Sequence, residues 1–207
     1  TVQSYFASSE KMIDKKIKAY CLLWKTAQKV KDHILPEMET IYNILTNDEI
    51  GDINTFEKIG KVSHINEYRR LMTEVELKST YDFTKKVALH RPFISDKAFK
   101  LFIVMQIFIL RLRYKFIESY INREIYDWKK DKATVGILRA SLTENEINYV
   151  LELDVYSLRS LIDIIEHKII QTTKRDLNIN HTAEDAVQYV RKMEDLFKSV
   201  NKDSKNS

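Results

Sequence analysis

The sequence predicts an all-α fold: an elongated antiparallel bundle of about four long helices with a shorter helix at the C-terminus. Three observations predict it. The 207 residues include only 3 Gly and 2 Pro, too few for the many tight turns that a sheet protein needs. Apolar residues recur at alternating steps of 4 and 3, the spacing of a helical seam. The segments that interrupt this spacing are short, and short connections between helices of similar length favour an up-down arrangement. With 44% hydrophobic and 31% charged residues, the composition is that of a globular chain. Its length suits one domain, residues 1–200, followed by a polar tail at 201–207 that frays. No repeat of 20–50 residues marks a solenoid.

The elements follow in order. An N-cap with an acidic first turn starts the first helix near Ser9 and Glu10. Ile13, Ile17, Tyr20, Trp24 and Ala27 then form its seam. Pro36 interrupts or kinks it, and Met38, Ile41, Tyr42 and Leu45 carry the pattern on to a turn at "TNDEIGD", residues 46–52. A second helical region spans about 53–89, with a capping box at Asn54 and Glu57 and a fresh start at Ser79 and Asp82, so that a break falls near 78. "LHRPFIS", 89–95, is a turn ending in Ser95 as N-cap with Asp96 behind it. The third helix spans about 96–130 and is broken by "KKDKATVG", 129–136. Thr143 and Glu146 form a capping box for the fourth, seamed by Leu151, Val155, Leu158, Ile162, Ile165 and Ile169 to about 175. Thr182 and Asp185 cap the last helix, with its seam at Ala186, Val190, Met193, Phe197 and Val200. At a rise of about 1.5 Å per residue, a region of roughly 32–38 residues makes a rod about 50 Å long.

One stretch, "FKLFIVMQIFILRLRYKF" at 99–116, raises the question of a membrane span. Only ten residues separate Lys100 from Arg111, all apolar except Gln106. At about 1.5 Å each they reach about 15 Å, half the thickness of a bilayer core. Arg111, Arg113 and Lys115 follow at once and are costly at membrane depth. The stretch is therefore the wall of a core, surrounded by other helices in its first half.

Charge and cysteine content narrow the function classes. The chain carries 34 basic and 30 acidic residues, a net charge of +4. No segment is strongly basic, so charge does not call for nucleic acid, although a mild basic patch in the middle of the chain leaves such a partner open. Cys21 is the single cysteine, which forbids an internal disulfide and fits a reducing cytoplasm. It falls on an apolar helical stretch, where a small buried side chain is expected. Because the chain opens on Thr1, an upstream anchor or signal stays open, and with it a soluble sensor domain of a membrane-anchored chain.

Catalytic patterns are sparse. No Glu has His three residues on, the ligand spacing of di-iron bundles. The nearest metal-ligand constellation is Asp163, Glu166 and His167, with Asp163 and His167 one turn apart on one face. Such a pair is more commonly a surface ion pair, since zinc takes three or four ligands. Three isolated glycines build neither GxxxxGK[ST] nor GxGxxG, and GxSxG is missing. Two basic clusters, Lys85, Lys86, His90 and Arg91, and Lys129, Lys130 and Lys132, end predicted helices, where cations oppose the helix dipole. Tyr20, Trp24, Tyr126 and Trp128 invite a ligand pocket, but aromatics at seam spacing are core first. "RDLNINH", Arg175 to His181, resembles over seven residues the Arg-x(4–6)-His motif of HEPN-domain ribonucleases, which are also helical bundles. The resemblance implies an RNA-cleaving role for Arg175 and His181. Taken together, the residues point to a non-enzymatic module that acts through protein contact or self-association, without a cofactor, with RNA cleavage and sensing as alternatives.

Overall fold

A computed structural model describes residues 2–51, 84–122 and 124–177. Every regular element among them is helical, so the chain is all-α. The α-helices are α1 (Val2–Lys31), α2 (Pro36–Ile44), α3 (Asn47–Gly51), α4 (Asp96–Ile121), α5 (Lys132–Leu138), α6 (Glu144–Glu152) and α7 (Ser157–Asp176). Residues 84–89 are also helical, and a 3-10 turn, Arg91–Phe93, leads from them into α4.

The apolar run forms the centre. Leu101, Phe102, Met105, Phe108, Ile109 and Leu112 of α4 are each no more than 1% exposed. Around them pack α1, α5 and α7, and α7 in turn holds α2 and α6. Among the described residues no helix is long and apolar enough to cross a membrane.

Contacts fix the directions. The Tyr20 hydroxyl meets the backbone N–H of Ser95, just before α4, and His33 meets Arg113 near its far end. Hence α1 and α4 run the same way. Tyr20 also meets Asp176 at the end of α7, while Gln28 and Lys31 meet Glu166, about three turns earlier in that helix. Hence α7 runs opposite to both. Gln106 bonds Thr84, so the helical residues 84–89 also run against α4.

Local signals explain most boundaries. Pro36 stands in the first turn of α2, where its missing N–H is no loss. The Ser95 side chain accepts from Ala98 N–H and caps α4. Thr143 and Glu146 close a reciprocal capping box on α6. Lys29 and Lys31 lie in the last turn of α1, favourable against its dipole.

Four boundaries differ from the sequence reading. α1 already begins at Val2; residues 2–8 contain neither Gly nor Pro, and extending a formed helix costs little. α4 stops at Ile121, not near 130. Its chain then leaves the helix so that Trp128, 1% exposed, turns back beneath Phe108 with ring centroids 5.3 Å apart. The stretch read as a break, 129–136, contains the start of α5, capped by Asp131. The fourth region is two helices, α6 and α7, parted at Leu153–Tyr156. The expected caps at Asn54, Glu57, Ser79, Asp82, Thr182 and Asp185, the break near 78, the last helix and the tail lie outside the described residues.

Candidate functional site

The residues singled out by sequence are placed as follows. Asp163 is exposed and pairs with Arg159 at 3.6 Å. Glu166 points toward α1, accepting from Gln28 Nε2 at 2.7 Å and Lys31 Nζ at 2.9 Å. His167 is exposed on another face. Among the described residues no group of three or more His, Cys, Asp and Glu could share a metal ion. Arg175 is exposed at the end of α7, with Nη2 3.4 Å from Asp176 Oδ1. His181 lies outside the described residues.

Two members of the second basic cluster are tied into structure. Lys129 Nζ donates to Asn47 Oδ1 at 2.9 Å and to the Leu153 carbonyl, and so joins three segments. Burial lowers its pKa, against the pull of Asp127 and Asp154. Lys130 pairs with Asp127 at 2.9 Å. Cys21 is half-buried, and burial pushes its thiol up, away from a reactive thiolate. Arg113, 9% exposed, lies 3.0 Å from His33 Nδ1. A guanidinium only donates, so Nδ1 is the acceptor and this ring nitrogen carries no proton.

Among the described residues the densest polar cluster joins α4 to α5. Arg111 donates from Nε to Thr134 Oγ1 and from Nη2 to Asp131 Oδ2, both at 2.8 Å. Tyr126 donates to the same Oδ2 at 2.5 Å. Burial pushes the Asp131 carboxyl up, but donors from Tyr126, Arg111 and Thr134 outweigh it and hold it well below the usual carboxylate range. Burial and the bond to Asp131 push Tyr126 up to about 12. Every polar atom named here serves another, which is the signature of a structural network.

A different arrangement lies at the end of the core where α1, the 3-10 turn and α7 meet. A cavity of about 270 Å³ is lined by Lys16, Tyr20, Pro92, Phe93, Ile94, Ser95 and Asp176. Tyr20 is 2% exposed. Its hydroxyl accepts from Ser95 N–H at 2.9 Å and donates to Asp176 Oδ2 at 2.5 Å. Burial, then the bond to Asp176, raises the Tyr20 pKa. Asp176, its side chain 17% exposed, is the last residue of a 20-residue helix. A carboxylate there opposes the helix dipole. Lys16 stands one turn before Tyr20 on the same face of α1 and has no ion-pair or hydrogen-bond partner among the described residues. Sequence reading took Tyr20 as core, which it is, but passed over Lys16 and Asp176. The available signal was the acid in the last turn of α7, where the dipole favours cations.

Compared with known proteins, the chain matches no family model, no curated protein and no solved structure.

Proposed function

We propose that the chain is a non-enzymatic helical module that works by protein contact, in a regulatory, scaffolding or accessory role. One observation carries this reading. Ile103, Ile107, Leu110 and Tyr114 follow one another along α4 at steps of 4, 3 and 4, the spacing of a coiled-coil seam. Ile107 is 48% and Tyr114 51% exposed, with Ile103 and Leu110 half-buried between and beside them. The helix that bears them is anchored on its other side by the most buried residues of the core, so the stripe is rigid. A second amphipathic helix laid along it, from another copy of this chain or from a partner, finds i, i+4, i+7 and i+11 anchors. Sedimentation velocity over a range of concentrations tests this. Self-association is expected, and Ile107→Glu abolishes it. A strict monomer at high concentration removes self-association, and undiminished assembly of Ile107→Glu removes the stripe.

A second reading, a sensor domain, is favoured by the cavity at Tyr20, which combines a partly buried carboxylate with an ammonium that has no partner among the described residues. Small-molecule sites are concavities with a few convergent polar groups. Saturable binding of a small molecule, lost in Asp176→Asn, is the expected result.

A further inference from the structure

We propose that the Tyr20 cavity binds a small zwitterion of the α-amino-acid class, an inference that rests on the sensor reading. The cavity presents two opposite charges. Asp176 Oδ2 is engaged by the Tyr20 proton, and among the described residues Oδ1 has only the 3.4 Å approach of Arg175, whose side chain is 63% exposed. Lys16 supplies the positive end from the adjoining turn of α1. The Tyr20 hydroxyl beside Asp176 is engaged as both donor and acceptor, so it does not compete for a ligand. Apart from Ser95, the rest of the lining is apolar: Pro92, Phe93 and Ile94.

The complement of this lining carries a cationic donor and an anionic acceptor, with an apolar group beside them. An α-ammonium donates to Asp176 Oδ1, the α-carboxylate accepts from Lys16, and an aliphatic or aromatic side chain covers Phe93 and Ile94. A ligand with one charge satisfies one end only and forgoes the bond at the other. A charge-assisted hydrogen bond of this kind is worth about 10- to 100-fold in affinity.

Isothermal calorimetry on the whole chain tests the assignment with apolar amino acids, the amines left by removing their carboxylates, and the acids left by removing their amines. Binding is expected for at least one amino acid, and its matched amine and acid bind about tenfold more weakly or worse. Asp176→Asn, which keeps an acceptor for Tyr20, and Lys16→Gln, at an exposed position, each weaken binding by a similar factor. The inference is overturned if no amino acid binds at about 10 mM, if the amine or acid alone binds as well, or if both variants bind normally. A small molecule from a mixed metabolite extract that binds in an Asp176-dependent way, while no amino acid does, removes the ligand class and leaves the sensor reading standing. Silence from both sets removes both.

Discussion

Asp131 caps α5 with one oxygen, accepting from Ala133 N–H at 2.8 Å, and gathers Arg111, Tyr126 and Thr134 on the other. Its carboxyl is held below the usual range, so the stabilisation it gives is fully present above the unfolded value, about pH 4, and is lost as pH falls below that. Asp131→Asn is expected to cost about 2 kcal/mol at neutral pH, since it removes charge from several bonds at once. The cost shrinks at pH 3, and urea unfolding at the two pH values measures the difference. Tyr126 works in the opposite sense. Its pKa is raised from 10.0 to about 12, so its contribution is whole below pH 10 and fades as pH climbs to 12. Tyr156 is the one non-glycine with positive φ among the described residues, at 59°. The side chain is 61% exposed and gives little packing in return for that conformation. Tyr156→Gly is expected to raise stability by about 0.5 kcal/mol, measured by thermal melting, because glycine adopts the left-handed region freely. A loss of more than 1 kcal/mol would mean that the ring makes a contact worth more than the strain.

At the scale of elements, what was legible in the sequence is what depends on neighbours along the chain. The Ser95 cap and the Thr143–Glu146 box involve residues three apart, and both are formed. The break between α6 and α7 is different. Leu151, Val155 and Leu158 keep the helical spacing straight through it. It is made instead by α2: Tyr156 N–H donates to the Asn43 carbonyl at 3.1 Å, Arg159 N–H to Asn43 Oδ1 at 2.9 Å, and Ser157 Oγ to the Tyr42 carbonyl at 3.1 Å. Partners more than a hundred residues away leave no periodic trace. The Tyr20 cavity was hidden for the same reason, since Lys16, Ser95 and Asp176 meet only in space. Gly136 shows the reverse error. It reads as a breaker but lies inside α5, and a Cβ built there meets nothing within 4 Å. Gly136→Ala is therefore expected to stabilise the protein by about 1 kcal/mol, and an unchanged or lowered urea midpoint would show that α5 contributes nothing to the cooperative unit.

At the scale of the molecule, α4 decides the fold. Its apolar run was legible as buried, but its orientation was not. Nine of the ten residues from Leu101 to Leu110 are apolar, so hydropathy gives no contrast from which to choose a face. Reading by polarity would turn Gln106 outward. In the structure Gln106 is 7% exposed, bonded to Thr84, while its neighbour Ile107 is 48% exposed. The helix is turned by what the flanking elements need: Phe108 is 0% exposed and packs edge-on against Trp128, and Met105 and Ile109 are as deeply buried. Adjacent substitutions then separate sharply. Phe108→Ala empties the centre of the core and is expected to cost about 3–5 kcal/mol, with the whole chain unfolding earlier. Ile107→Ala removes a side chain already half in water and replaces a β-branched residue by the best helix former, so its cost in dilute solution is expected to stay below about 1 kcal/mol. Chemical denaturation of the two variants, followed by circular dichroism and by tryptophan fluorescence, reports both size and cooperativity. Equal losses, or a larger loss at Ile107, would mean that α4 is rotated from the orientation described, and the stripe assigned to partner contact would then belong to the core.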